Sequence, residues 1–255
     1  QGLAGLILPD QVRSLGVVIP RHLPSHAFVA APVLVAGIGV GLAVHRVLVG
    51  GLVHRFPPQL AAAVCNAGGA FAYVGAMHDS FPHALELSKK GYNAFALIYR
   101  PGWDTAVEDL ARAISFIFEN AEELEVDTDC YSLWGGSAGG RMAAYLASYG
   151  PTAFGGDELP RPGTAVIQYT GHSEYTQNDP PTYSCVGDRD GIASWRTMQN
   201  RLNAMSTFGI DTEFHVYEGL GHGFGLGTGT VAEGWIDDAV AFWEKQMNGA
   251  EENAE

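Results

Sequence analysis

The feature that most restricts the fold is a glycine-rich turn around one serine, set between a strand pattern and a helix pattern. Residues 135–139 read Gly-Gly-Ser-Ala-Gly, which matches the G-x-S-x-G pattern of a sharp strand-to-helix turn. The run at residues 131–134 predicts a buried strand before the turn, and residues 138–149 predict a helix after it. A bare pentapeptide could be an ordinary glycine turn. In this context, however, it predicts that Ser137 is presented on a strained backbone as a nucleophile.

Strand and helix patterns alternate along the chain after residue 55. The apolar runs that predict strands lie at residues 61–66, 94–99, 131–134, 165–170, 182–187 and 213–218. Helical spacing is found at residues 80–90, from a capping-box pattern at Thr105 onward, and at residues 138–149, 195–205 and 235–247. Such alternation predicts an α/β fold, with a mostly parallel central sheet and helices on both faces. We assign residues 56–248 to this single domain.

Composition narrows the classes of partner. The chain has 255 residues, a suitable length for one domain, and a formal net charge of −14. Binding to nucleic acid requires clustered Lys and Arg, so no nucleic-acid partner is expected. Three widely spaced cysteines form no CxxC pair and no zinc site of usual spacing, and each is interpreted as a small buried hydrophobe. This cysteine usage favours a reducing, cytoplasmic location. A homo-oligomer is compatible with the sequence, which does not reveal the oligomeric state.

The two ends of the chain are harder to interpret. Residues 1–55 are apolar without a clear period, and could belong to a cap or to the first strands. Within them, residues 27–44 are long and apolar enough to be considered as a membrane span. Pro32 and three closely spaced glycines argue for buried packing instead, with membrane contact as the alternative. Residues 249–255 form an acidic tail that we expect to be disordered.

A serine hydroxyl needs a base, and an acid that orients the base. His222 follows the predicted strand at residues 213–218, and glycines on both sides leave its ring free to approach a serine. His172 competes with it, but precedes the candidate acids and so breaks the expected order of serine, acid and histidine. Asp190 is the preferred acid, because Asp188 is nearer the strand end and could pair with the neighbouring arginine. Alternatively, both aspartates make only turn contacts.

Hydrolysis of an acyl group develops negative charge on the carbonyl oxygen, which backbone N–H groups can stabilise. Ala138 supplies one such N–H, directly after the serine and at a helix N-terminus. The loop after the strand at residues 61–66 contains Gly68, Gly69 and Ala70, where glycine lets the backbone approach a ligand closely. We predict Gly69 and Ala70 as the other donors of this oxyanion hole. A plain glycine turn is the alternative.

Three stretches, GGSAGG, GDRDGIA and GHGFG, together resemble the α/β-hydrolase superfamily, over about residues 58–247. Within it they are similar to hormone-sensitive-lipase-like and acetyl-xylan-esterase-like carboxylesterases. The resemblance implies a triad of Ser137, Asp190 and His222, with Gly69, Ala70 and Ala138 in the oxyanion hole. Ala67 and Ala70 stand where the His-Gly-Gly-Gly pattern of the lipase branch has its histidine and its third glycine. That departure affects the subfamily more than the chemistry, because the donors are backbone groups.

The expected function is hydrolysis of a small-molecule carboxylic ester through an acyl-serine intermediate, with no metal and no organic cofactor. The segment at residues 171–181 is too short for a large cap, which favours short acyl chains or aryl and sugar esters. Aromatic side chains could line the pocket or pack in the core: Phe71, Trp134, Tyr169, Tyr175 and Trp195. The alternatives are a prolyl-oligopeptidase-type peptidase, for whose propeller the chain has no room, and a catalytically silent binding scaffold.

Overall fold

The computed structural model describes residues 33–37 and 60–252 of the chain. The described strands are β1 (Val33–Gly37), β2 (Leu60–Asn66), β3 (Asn93–Ile98), β4 (Val126–Gly136), β5 (Thr164–Gln168), β6 (Thr182–Gly187) and β7 (Thr212–Tyr217). The described helices are α1 (Ser80–Lys89), α2 (Trp103–Glu119), α3 (Ala121–Leu124), α4 (Ala138–Tyr149), α5 (Trp195–Ser206) and α6 (Trp235–Glu252), with a short 3-10 helix at Pro151–Phe154.

The described strands form one sheet in the order β1-β3-β2-β4-β5-β6-β7, and every neighbouring pair is parallel. Successive residues of a strand point to opposite faces of a sheet. Along β2, Ala62 and Val64 therefore face the core beneath α2 and α4, whereas Ala63 and Cys65 face the core beneath α1 and α6. The predicted α/β fold, with helices on both faces of a parallel sheet, is confirmed.

Part of the N-terminal segment belongs to this sheet. β1 is its edge strand, and its five residues pair in parallel with β3, from Val33 opposite Ala94 to Gly37 opposite Ile98. The other residues of the apolar stretch at 27–44, and the rest of residues 1–55, lie outside the described part of the chain. Within the described part, no helix is long and apolar enough to cross a membrane.

Several boundaries differ from those that the sequence predicted. The predicted capping box at Thr105 is wrong, because α2 begins at Trp103 and the Thr105 hydroxyl donates to the carbonyl of Pro101 at 2.8 Å. β4 begins at Val126, because Val126 and Asp127 pair with Leu60 and Ala61 of β2 before the register shifts to Ser132. α6 continues through Glu252, so part of the predicted acidic tail is helical, and residues 253–255 lie outside the description. Cys65 and Cys185 are buried in strands, as expected, whereas Cys130 in β4 is only partly buried.

The parallel arrangement positions the candidate site. All the strands run in the same direction, so their carboxyl ends meet at one edge of the sheet, where α/β proteins bind ligands. The loops that leave this edge after β2, β4, β5, β6 and β7 carry, in order, Gly68, Ser137, Tyr169, Asp190 and His222. Residues far apart in the chain are brought to one edge in this way.

Candidate active site

Ser137 occupies the single residue between β4 and α4, with φ 53° and ψ −117°. A non-glycine residue at positive φ costs about 1–3 kcal/mol and persists only where its surroundings enforce it. Here the Ser137 N–H donates to the carbonyl of Gln168 at 3.1 Å, and its carbonyl accepts from the N–H of Arg141 at 3.0 Å. The strand, the helix and the neighbouring loop therefore hold the serine in this conformation.

The glycines around Ser137 are required by close backbone contacts. A Cβ on Gly135 would lie 2.4 Å from the carbonyl carbon and oxygen of Gly139. On Gly139 it would lie 2.1 Å from the carbonyl oxygen of Asn66. Real Cβ atoms do not approach backbone this closely, so no larger residue fits at either position without moving β2 or α4. The G-x-S-x-G spacing thus has a steric basis in this chain.

His222 links the serine to a carboxylate. Its Nε2 lies 2.8 Å from Ser137 Oγ, and its Nδ1 lies 2.8 Å from Asp190 Oδ2. The side chain of Asp190 is fully buried, whereas that of His222 is one-fifth exposed at 20%. A neutral imidazole that donates from Nδ1 to the carboxylate leaves the Nε2 lone pair directed at the serine hydroxyl. This arrangement allows His222 to take the serine proton.

The structure separates the two candidate acids. Asp190 Oδ1 accepts from the backbone N–H groups of Ile192 and Ala193, both at 2.8 Å, so its carboxylate is fixed while Oδ2 contacts His222. Asp188 is exposed, and its Oδ1 accepts from the N–H of Gly219 at 2.6 Å. The structure therefore brings Asp190 to the histidine and places Asp188 at the junction of two loops.

His172, the competing histidine, lies elsewhere. It is buried, and its ring centroid is 4.6 Å from that of Tyr145 on α4. Burial, and then the charges of Arg201 and Arg141, lower its pKa to about 3. It is hydrogen-bonded neither to Ser137 nor to an aspartate within the described part of the chain. A histidine with so low a pKa and no hydrogen bond to Ser137 is a poor candidate for the base.

The loop after β2 contacts the serine. A Cβ on Gly68 would lie 3.1 Å from Ser137 Cβ, which shows how closely the backbone approaches. Gly69 and Ala70 follow with φ 128° and 52°. Among the described residues, none accepts a hydrogen bond from the N–H of Gly69, Ala70 or Ala138. These three N–H groups are therefore free to donate to a ligand, as the donors of an oxyanion hole must be.

Two of the predicted substrate contacts are wrong. Trp134 is 1% exposed, its indole N–H donates to Ser132 Oγ at 2.6 Å, and its ring packs against Trp235 and Trp243. It points from β4 into the core beneath α6. Tyr169 is fully buried, so it contacts no substrate, but its ring lies 5.1 Å from that of His222.

Of the remaining predicted aromatic residues, Phe71 and Trp195 lie in the segments that follow the carboxyl ends of β2 and β6. Phe71 directly follows the oxyanion loop, and Trp195 is half-buried against the cluster that contains Tyr169. Tyr175 is 41% exposed and packs near Phe208. Phe71 and Trp195 thus remain candidates for substrate contact.

Phe71 belongs to a partly exposed cluster whose other members were not predicted from the sequence. The guanidinium of Arg141 lies 5.7 Å from the ring centroid of Trp103 and 5.8 Å from that of Tyr145. Trp103 also contacts Phe71 edge-to-face, with 5.2 Å between centroids. We call these four residues the aromatic platform. The N–H of Arg141 donates to the carbonyl of Ser137 at 3.0 Å, so Arg141 lies one helical turn from the serine.

This chain is similar to one protein family and to several solved structures. The family model BD-FAE matches residues 58–196, which is more than half of the chain. No curated protein matches the sequence. Within the part of the chain that the structure describes, no group of three His, Cys, Asp or Glu could hold a metal ion.

Solved structures share the fold at low sequence identity. MGS-M1, an α/β-hydrolase enzyme from a Medee basin deep-sea metagenome library, is 24% identical with a TM-score of 0.66, over 75% of this chain and 86% of that one. An acetyl ester-xyloside bifunctional hydrolase from Caldicellulosiruptor lactoaceticus is 21% identical with a TM-score of 0.65, over 76% and 85%. Esterase 2 of Thermogutta terrifontis, with propionate bound, is 22% identical with a TM-score of 0.65, over 75% and 86%.

Proposed function

The chain belongs to the BD-FAE family, which is of the α/β-hydrolase type, and we propose that it is a serine carboxylic-ester hydrolase. The observation that carries this proposal is the continuous hydrogen-bonded chain from Ser137 Oγ through His222 to the buried carboxylate of Asp190. Each member lies in a loop at the carboxyl edge of the sheet. Together they have the geometry that activates a hydroxyl group for acyl transfer.

In the first half of the reaction, Ser137 Oγ attacks the ester carbonyl while its proton moves to His222 Nε2. The carboxylate of Asp190 stabilises the imidazolium that forms. The carbonyl oxygen becomes an oxyanion, which accepts hydrogen bonds from the N–H groups of Gly69, Ala70 and Ala138. When the intermediate collapses, His222 gives its proton to the departing alkoxide, and the acyl group stays on Ser137.

The second half of the reaction releases the acid. A water molecule enters the place that the alcohol has left, and His222 Nε2 takes a proton from it as it attacks the acyl-serine carbonyl. The same N–H groups stabilise the second oxyanion. Collapse of that intermediate returns the proton to Ser137 Oγ, so the free enzyme is regenerated with no metal and no organic cofactor.

The aromatic platform supports the choice of substrate class. Its ring faces and the guanidinium of Arg141 suit stacking with an aryl group or the face of a sugar ring. Residues 169–181, which connect β5 to β6, contain neither helix nor strand, so no cap domain is inserted there. We therefore propose short-chain esters of aryl or sugar groups as substrates. The Caldicellulosiruptor neighbour, an acetyl ester-xyloside hydrolase, is in keeping with this choice.

Hydrolysis of p-nitrophenyl acetate, butyrate and octanoate tests the proposal. We expect turnover of the acetate and butyrate by the wild type and its loss in Ser137→Ala. Ser206→Ala is the matched control, because Ser206 is an exposed serine in α5 whose hydroxyl contacts only the carbonyl of Asn203. If the folded wild type turns over none of these esters, the chain is a silent scaffold or a specialised peptidase, and the proposal is wrong.

A further inference from the structure

A buried carboxylate that takes no direct part in the proposed reaction lies between two loops of the site. Asp79 is 5% exposed. Its Oδ2 accepts from the N–H of Gly68 at 2.7 Å, and its Oδ1 accepts from the hydroxyl of Tyr169 at 2.8 Å. Gly68 belongs to the loop that carries the proposed oxyanion donors, and Tyr169 is in the loop that follows β5. One carboxylate thus ties these two loops together.

The position of Asp79 in the chain makes this arrangement unusual. Asp79 is the residue immediately before α1, where an aspartate commonly caps the helix by accepting from its first free N–H groups. Here its side chain makes no capping hydrogen bond. Both carboxylate oxygens are directed away from the helix and toward the candidate site. A side-chain cap would stabilise the helix, so α1 gives up local stability in favour of the loop contacts.

Tyr169 extends the link to the base. Its ring packs edge-on against that of His222, with 5.1 Å between centroids. A Cβ on Gly136 would lie 2.8 Å from the same ring, so Tyr169 also contacts the backbone just before Ser137. Burial, and then the carboxylate of Asp79, raise the pKa of Tyr169 well above its usual value, so the phenol stays protonated and remains a donor.

His78, the residue before Asp79, contacts a third loop of the site. His78 Nε2 lies 2.5 Å from the carbonyl oxygen of Gly223, the residue that follows His222. The short segment formed by His78 and Asp79 therefore touches the loop of the oxyanion donors, the loop of Tyr169 and the loop of the base.

We propose that Asp79 is a positioning residue for hydrolysis, which orients the oxyanion loop through Gly68 and the base through Tyr169. This inference rests on the proposed function. Asp79 does not touch the reacting atoms. With the N–H of Gly68 directed to Asp79, those of Gly69 and Ala70 are left free beside Ser137. Held by its hydroxyl, the ring of Tyr169 keeps His222 within reach of Ser137 Oγ.

The test compares Asp79→Ala, which removes both acceptors, with Asp79→Asn, which keeps one acceptor for the N–H of Gly68. Loss of one oxyanion donor costs about 10²–10³ in kcat. We expect Asp79→Ala to lose roughly 100-fold in kcat on p-nitrophenyl acetate with KM changed by less than about threefold, since the ground state is bound as before. Asp79→Asn should recover at least about tenfold of that loss.

A matched variant separates positioning from stability. Asp109 is also a fully buried aspartate, and accepts from the backbone N–H of Arg100 at 2.7 Å and from its guanidinium. Asp109→Asn should lower the melting temperature but keep kcat. If Asp109→Asn loses as much kcat as Asp79→Ala at an equal melting temperature, the positioning role is overturned. It is likewise overturned if Asp79→Ala retains kcat within about threefold of the wild type.

Tyr169→Phe provides a second route should Asp79→Ala fail to fold. It removes only the hydroxyl, and we expect a loss of about tenfold in kcat. Its effect should not add to that of Asp79→Asn, because both break the same hydrogen bond. Full additivity of the two losses contradicts the inference.

The rate at which diethyl p-nitrophenyl phosphate labels Ser137 distinguishes failure of the inference from failure of the proposed function. A wild type that is labelled but hydrolyses no ester overturns the proposed substrate class. The labelling rates of the Asp79 variants then take the place of kcat, with the same expected losses relative to the wild type. A labelled wild type with an equally fast Asp79→Ala overturns the inference alone. A folded wild type that is neither labelled nor active overturns both.

Discussion

His222 Nε2 lies 2.8 Å from Ser137 Oγ, although the two residues are 85 positions apart in the chain. The contact exists because both follow parallel strands of one sheet, β7 and β4, whose carboxyl ends lie at the same edge. β5 and β6 lie between these two strands and fix the distance between the loops that carry Ser137 and His222. The consequences of this arrangement can be tested residue by residue.

Asp190→Asn should lower kcat by about 10⁴, because an amide cannot hold the imidazole in the tautomer that leaves Nε2 free. Asp188→Asn is the matched control, two residues away in the same loop, and should keep kcat within about threefold, since its partner is the N–H of Gly219. Steady-state kinetics on p-nitrophenyl acetate measures both. The reverse order of effects would assign the acid to Asp188.

Gly139→Ala should abolish activity and destabilise the fold, because the added Cβ would lie 2.1 Å from the carbonyl oxygen of Asn66. Overpacking of this kind typically costs about 1–3 kcal/mol. Gly171→Ala is the control, since a Cβ there meets nothing within 4 Å. Urea denaturation and esterase assays give the two readouts. A Gly139→Ala variant as stable and active as Gly171→Ala would mean that β2 and α4 lie further apart than described.

Trp103→Leu should weaken binding of aryl esters, because it removes the central ring of the aromatic platform. An aromatic contact contributes about 0.5–1.5 kcal/mol beyond the burial of its area. We expect KM for methyl ferulate to rise roughly tenfold, while kcat/KM for methyl butyrate, an ester without a ring, changes by less than about twofold. Phe208→Leu, at an exposed aromatic residue just after α5, should change neither. Equal effects on both esters would remove the platform from the substrate site.

Acid should destabilise the fold through two buried histidines. Burial lowers the pKa of His83 to about 4 and that of His172 to about 3, below the ordinary value of 6.5. The unfolded chain therefore binds more protons between these values and 6.5, so their contribution to stability is complete above pH 6.5 and is lost as the pH falls toward 4. Each contributes at most about 1.4 kcal/mol per pH unit.

His172→Phe isolates one of these contributions, because phenylalanine keeps a ring against Tyr145 and takes up no proton. The difference in the free energy of unfolding between pH 7 and pH 5, from urea denaturation, should be smaller in this variant than in the wild type. An unchanged difference would mean that His172 does not contribute to the acid sensitivity.

The fold and the contacts among Ser137, His222 and Asp190 could be predicted because their signals are local. Each of Ser137, Asp190 and His222 lies in a loop shortly after a predicted strand, and the glycines on either side of Ser137 reflect close approaches of the backbone. The assignment of Trp134 to the pocket failed because the face on which a strand residue points depends on the register with neighbouring strands, and an apolar run buried on both sides does not reveal it.

Asp79 and Arg141 could not be predicted for a related reason. An aspartate before a helix looks like a cap, and an arginine within a helix looks like a solvated side chain. Their contacts with Gly68, Tyr169 and Trp103 join different parts of the chain, and only the assembled sheet edge brings these together.

The proposed function depends on Ser137 being a nucleophile that His222 activates. The most direct test is to treat the folded protein with diethyl p-nitrophenyl phosphate and to locate the label by mass spectrometry of peptides. We expect one diethylphosphoryl group on Ser137, with p-nitrophenol released in equal amount, and no label in Ser137→Ala. Labelling should also be lost in His222→Ala, which keeps the serine but has no base. A wild type that remains unlabelled, or that is labelled at another residue, would contradict the account.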